Sequence, residues 1–232
     1  MQAHRPLDWL AAARAGETAI ALLSGGLDSG VALASWCASG GQAACALTAD
    51  YGQRAAAAEL RAAERLARRL RVPWHRLDLA FLADPSRRAG SALVDLARSL
   101  PATSPAMPGD AGSAAAVWVP ARNVVLCAAA AAFAEAAAAG VVLAGFNAEE
   151  AATFPDNSPA FISTFNAMLA HGCRRAVRVL GPTLALAKVD IVAAARRLGL
   201  EPDDFWSCYE GGDQPCRRCE SCVRSARAWA AA

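Results

Sequence analysis

The sequence predicts an α/β fold: a doubly wound, mostly parallel sheet with helices on both faces, followed by a small cysteine-rich appendage at the C-terminus. Three observations carry this. Short apolar runs alternate with helix-period segments along most of the 232 residues, which is the pattern of βαβ units. A glycine-rich turn joins the first strand to the first helix, and in such sheets ligands sit at the carboxyl ends of strands. Cys208, Cys216, Cys219 and Cys222 gather after the alternation has ended.

Thr18–Leu23 is a short apolar run suited to a buried parallel strand, and the glycine turn leads into a helix over 29–39. Gln42–Ala49 reads as a second strand. Arg54–Arg71 is an amphipathic helix, with Leu60, Ala63, Leu66, Ala67 and Leu70 on one face and arginines and glutamates opposite. Pro73 ends it, and Trp74–Leu79 is the third strand. Residues 84–112 are rich in Pro, Ser, Gly and Ala and form a long connection with one helix expected around Leu93–Leu100; connections of this length are usually functional or mobile. Arg122–Ala139 is helical, Val141–Gly145 a strand, and Asn147–Pro159 a polar loop. A helix over 158–170, a strand over 176–180 and a helix over 186–198 complete the alternation, which divides the chain into an α/β unit over 1–200 and an appended segment over 201–232.

Composition excludes several classes. Lys+Arg 23 against Asp+Glu 21 leaves a formal charge of +2, too weak a field for a protein that coats nucleic acid, so no direct nucleic-acid contact is expected. The first sixteen residues hold no secretory signal, which points to the cytoplasm. The alanine-rich stretch 124–146 carries Glu135 and breaks at Gly140, so it reads as a buried helix and a strand rather than a membrane span. Without export, clustered cysteines read as a metal site rather than disulfides.

Ser24-Gly25-Gly26-Leu27-Asp28-Ser29 carries the first chemistry. Glycines let backbone N–H groups approach a ligand, and the helix start adds free donors and a positive dipole end, which together make a cradle for phosphate. The spacing is too short for a Walker A loop, and an ordinary βα turn is the bland alternative. Cys208-x7-Cys216-x2-Cys219-x2-Cys222 suits tetrahedral zinc; with all four positions filled by protein the site is closed and structural. A thioredoxin-like redox pair is the competing reading, but it does not need a fourth cysteine. Cys37, Cys45, Cys127 and Cys173 read as core packing, and His4, His75 and His171 show no ligand spacing. Lys188 is the sole lysine in an arginine-rich chain.

The hexapeptide is that of the PP-loop ATP pyrophosphatase superfamily, with its adenine-nucleotide α-hydrolase-like fold. Along nearly the whole chain the sequence resembles the 7-cyano-7-deazaguanine synthase (QueC) family. The resemblance rests on LSGGLDS, ADYGQR (Ala49–Arg54), VPARN (Val119–Asn123), GFNAEE (Gly145–Glu150), FPD (Phe154–Asp156), LAKVDI (Leu186–Ile191) and the tail WSCYEGG…PCRRCESC. It implies that Leu23, Ser24, Gly25, Gly26, Leu27, Asp28, Ser29 and Tyr51 bind ATP with Mg²⁺, and that Asp28 and Lys188 are catalytic. It implies that Arg54, Arg122, Asn123, Asn147 and Asp156 face the acceptor. The expected reaction converts 7-carboxy-7-deazaguanine and ammonium to 7-cyano-7-deazaguanine through adenylated intermediates, feeding queuosine or other deazaguanine products, in a homodimeric enzyme. Members commonly carry Cys-Arg after the aspartate of FPD and a histidine after YGQR; here Asn157-Ser158 and Ala55 stand at those places. Alternatives are a related ligase that adenylates another acceptor, such as a protein or a modified-nucleobase precursor, and a zinc-stabilised nucleic-acid-binding module.

Overall fold

The structure is a computed structural model that describes residues 16–101 and 111–232. Five parallel strands form one sheet: β1 (Thr18–Leu22), β2 (Gln42–Asp50), β3 (Trp74–Asp78), β4 (Val141–Leu143) and β5 (Arg178–Leu180), in the order β3-β2-β1-β4-β5. The chain runs outward from β1 to β3 and then returns to the other side of β1 with β4, so the switch point lies between β1 and β4. Side chains of a strand alternate between faces. Ala19, Ala21, Val141 and Leu143 point into one core and Ile20 and Val142 into the other.

The first core is covered by α1 (Leu27–Ala38), α2 (Ala56–Arg69) and α8 (Lys188–Arg197), the second by α5 (Arg122–Ala136) and α7 (Pro159–Gly172). Alanine lets these helices lie close, and the larger fillers Trp36, Leu33, Leu66 and Ile191 are buried among them. No helix among the described residues is long and apolar enough to cross a membrane; the alanine-rich stretch is α5 and β4.

The connection between β3 and α5 differs from expectation. Leu93–Leu100 is a run of turns, while α3 (Ala83–Arg88) and α4 (Ala111–Ala116) are short helices that the composition did not signal. The turn at Leu93 is held by side chains that compete with helix bonds. Asp95 Oδ1 accepts from Ala97 N at 3.1 Å, and Arg54 donates to the carbonyls of Asp95 and Arg98 at 3.0 and 2.9 Å. Residues 102–110 lie outside the described structure. The loop after β4 is also more ordered than its polarity suggested: α6 (Ala148–Ala151), capped by Asn147, and a 3₁₀ turn over Pro155–Asn157 occupy it.

The tail folds back onto the first core. Phe205 packs on Gly30 of α1, Trp206 N donates to Gly25 O at 2.8 Å, and α9 (Glu220–Ala231) lies against α8. Burying an aromatic ring the size of Phe205 contributes about 2 kcal/mol.

Candidate active site and metal centre

The loop Ser24–Ser29 leaves β1 at the switch point. Gly25 has φ +81°, and a Cβ there would meet the Glu59 carbonyl at 2.5 Å, so the turn requires glycine. Ser29 folds back: its Oγ lies 3.0 Å from Ser24 Oγ and accepts from Ser24 N at 3.1 Å. The first turn of α1 has Gly26 as its N-cap, with no side chain satisfying it. Its free N–H groups and dipole end therefore face the cavity above the sheet, a setting made for anions.

Asp28 and Lys188 meet beneath this loop. Lys188 Nζ lies 2.5 Å from Asp28 Oδ2, and Asn147 Nδ2 donates to the same oxygen at 3.0 Å. The two side chains are only 13% and 15% exposed, so their attraction is little screened by water. Burial pushes the Asp28 carboxyl up against the pull of Lys188. Burial works against the Lys188 ammonium, but Asp28 and Glu150 outweigh it and hold the ammonium above its ordinary range. Asp28 Oδ1 is buried without a hydrogen-bond partner among the described residues. An orphaned carboxylate oxygen beside an anion cradle fits a hard divalent cation such as Mg²⁺.

Three further groups complete this floor. Glu150 lies 3.7 Å from Lys188 Nζ, and Arg224 of α9 lies 3.6 Å from both Glu149 and Glu150. Burial raises the Glu150 carboxyl, but Lys188 and Arg224 more than offset this and hold it below its usual range. On the opposite wall Arg122, the first residue of α5, donates to Tyr51 Oη at 3.3 Å. Its burial is outweighed by Tyr51, Asp156 and Glu150, so the guanidinium stays charged. Glu59 accepts from Gln53 Nε2 at 2.8 Å, and burial holds its carboxyl above the ordinary range.

The cavity brings together Leu23, Ser24, Gly26, Leu27, Asp28, Ser29, Tyr51, Arg122, Asn123 and Lys188 of the residues expected there. Asn147 and Asp156 stand behind the lining: Asn147 holds Asp28, and the Asp156 carbonyl accepts from Asn123 Nδ2 at 3.3 Å. Gly25 shapes the loop from below. Arg54 lies apart, tying the turns at Asp95 and Arg98 and reaching Glu210 at 3.4 Å in a neighbouring cleft. Asn157 is buried in the cavity wall, and Ser158 is the N-cap of α7, accepting from Phe161 N at 3.1 Å. Sequence reasoning missed Gln53, Glu59, Trp206, Tyr209 and Arg224, all of which line the cavity. Gln53, Trp206 and Tyr209 lay inside quoted motifs; Arg224 carried no signal, because only the fold of the tail brings it there.

The four tail cysteines form a separate centre. Their sulfurs all lie within 4.8 Å of one another. Tetrahedral zinc, with Zn–S near 2.3 Å, needs them about 3.8 Å apart. Backbone N–H groups already point at the sulfurs: Glu210 N and Cys216 N donate to Cys208 Sγ, and Cys219 N to Cys216 Sγ, each at 3.3 Å. Hydrogen bonding from the Cys222 thiol pulls the Cys219 thiol below its ordinary range. The donor set fits a closed structural ion. Among the described residues no other group of His, Cys, Asp and Glu side chains gathers closely enough to hold a metal.

A family model described as queuosine biosynthesis protein QueC matches residues 18–232. The chain is 45% identical over 214 residues to the 7-cyano-7-deazaguanine synthase of Pelotomaculum thermopropionicum, which covers 90% of this chain and 95% of that one. Its identity to the 7-cyano-7-deazaguanine synthase of Desulforudis audaxviator is 44% over 211 residues, 90% of this chain and 94% of that one. The structure of NMN synthetase from Francisella tularensis resembles it in fold alone, with a TM-score of 0.51 at 15% identity over 95% of this chain and 82% of that one. Because the match runs from the first strand through the cysteine tail to the last residue, the chain belongs to the QueC family of enzymes, whose named relatives here are 7-cyano-7-deazaguanine synthases.

Proposed function

We propose that this chain converts 7-carboxy-7-deazaguanine and ammonia to 7-cyano-7-deazaguanine at the expense of two ATP, each cleaved to AMP and pyrophosphate. The observation that carries the reading is the Asp28–Lys188 pair set beneath a glycine loop with uncapped N–H donors, in a chain of this family. The acceptor carboxylate attacks the α-phosphorus of ATP and pyrophosphate leaves. Ammonia displaces AMP to give the amide. The amide oxygen attacks a second ATP in the same way, and loss of AMP and a proton leaves the nitrile.

The residues divide this work. The backbone of 24–29 and the ammonium of Lys188 stabilise charge that develops on the departing pyrophosphate, a preorganised effect that needs no rearrangement during reaction. Asp28 would hold Mg²⁺, which supplies charge neutralisation for the phosphates. Arg122 and Asn123 meet the acceptor's carboxylate and polar edge, with Asn147 and Asp156 fixing their surroundings. Arg54 is assigned to the fold of the neighbouring turns. Trp206 and Tyr209 shield the adenylate from water, a requirement for any acyl-adenylate. Cys208, Cys216, Cys219 and Cys222 would hold zinc, which ties the tail over 201–232 to the ATP-binding unit over 1–200. The reading includes a homodimer in the cytoplasm, feeding queuosine or a related modification; exposed Phe133 on α5 and Met168 on α7 give the apolar surface a dimer would cover.

The test is incubation with Mg·ATP, ammonium and 7-carboxy-7-deazaguanine. The expected result is the nitrile by mass spectrometry with two AMP per product. Pyrophosphate release without nitrile would mean a different acceptor, and ADP as the sole nucleotide product would overturn the mechanism.

A further inference from the structure

Arg224 sits two residues beyond Cys222 on a helix that carries no motif for the reaction, yet its side chain lines the nucleotide cavity. It is 17% exposed and lies between Glu149, Glu150 and Glu220 at 3.6, 3.6 and 3.5 Å. Each contact is longer than the 2.7–2.9 Å typical of a committed charge-assisted bond. The guanidinium therefore acts as a shared counter-charge for three carboxylates rather than as the partner of one. Glu150 in turn touches Lys188, and Glu149 Oε1 accepts from Lys188 N at 2.7 Å. A continuous chain of contacts thus runs from Arg224, on the same helix as Cys222, through Glu150 to Lys188 and Asp28.

Charge counting shows what the arginine does there. Among the groups in direct ion-pair contact, Asp28, Glu149, Glu150 and Glu220 contribute four negative charges and Lys188 and Arg224 two positive ones, while Arg122 acts on Glu150 from farther off. Without Arg224 the floor of an anion site would carry one more net negative charge, and Glu150 would compete with the nucleotide for the Lys188 ammonium.

We propose that Arg224 is a positioning residue: it neutralises Glu149 and Glu150 so that Lys188 remains available to the phosphates of ATP. The cysteine centre is then more than a staple, because it delivers a cation to the nucleotide site. The proposal rests on the ATP-dependent reading above and concerns binding rather than turnover.

Titration calorimetry with Mg·ATP alone tests it, with metal content and melting temperature measured on the same samples. Arg224→Gln should raise the Kd for ATP by about ten- to hundredfold, the range for loss of one charged contact in a buried setting. Metal content should be unchanged. Arg224→Lys keeps the cation and should bind ATP within about threefold of the parent. Glu150→Gln in the Arg224→Gln background should recover much of the lost affinity, since it removes the carboxylate left uncompensated. A purely structural arginine would give additive effects and no such recovery. Parent-like ATP affinity in Arg224→Gln, or additivity in the double variant, would overturn the proposal. If the parent protein binds no ATP, the functional reading falls and this one with it.

Discussion

Gly145 follows β4 and abuts the glycine loop, so Gly145→Ala probes whether the site depends on two strand ends closing on each other. A Cβ at 145 would lie 2.5 Å from Ser29 Cα and 2.8 Å from the Asp28 carbonyl carbon. Ordinary carbon contacts are about 3.5–4 Å, so the segments must part by about 1 Å. Both obstacles are backbone, which no rotamer change can move aside. Overpacking of this kind costs about 1–3 kcal/mol. At about 2–4 °C per kcal/mol for a chain of this size, the Tm should fall by about 2–12 °C. The functional loss should be larger than the stability loss, because Asp28 and the N–H of Ser29 move with the loop; a 1 Å misplacement can cost on the order of a hundredfold in rate. Gly172→Ala is the control. It is the last residue of α7 and has nothing within 4 Å of an added Cβ. It should leave AMP release unchanged and keep or slightly raise the Tm. Thermal melts and steady-state AMP release on both variants decide the matter. A Gly145→Ala protein that melts and turns over like the parent would refute the claim that this contact sets the loop.

Cys219→Ser should lose metal and stability together, because ion binding at such a centre is folding free energy; elemental analysis and a melt read both. Zinc-free protein purified without chelator would reject the assignment of the ion. Asp28→Asn and Lys188→Gln should each slow AMP release by on the order of a hundredfold or more while the far-ultraviolet circular dichroism stays unchanged. Glu59 has its carboxyl held up by burial, so in the folded state it ionises later than in the unfolded chain. That costs stability once the pH exceeds the ordinary glutamate range, and the cost grows as the pH climbs to the folded pKa. Glu59→Gln should therefore raise the Tm relative to the parent at pH 8 and lose this advantage near pH 4; an advantage that is the same at both would contradict the burial argument.

Much of the fold was legible in the residues because the signals were local. TAIALL, followed by a glycine turn and a helix, announces β1, the loop and α1 within 21 residues, and the amphipathic stripe of α2 is equally self-contained. The cysteine spacing likewise announced a four-sulfur centre, since three of its ligands lie within seven residues and the chain between them is too short to place them far apart. Tertiary structure alone decided the rest. The segment at Leu93–Leu100 has a helical composition, but Arg54, from a distant turn, takes its carbonyls and leaves it as turns. The same contact holds Arg54 outside the cavity lining that the resemblance implied for it. Arg224 and Trp206 enter the site from the end of the chain because the tail packs Phe205 against Gly30. A sequence specifies its neighbours along the chain through periodicity and backbone preference, which act over a few residues. Which charges share a buried site depends on how distant segments pack, and that energy belongs to the folded molecule as a whole.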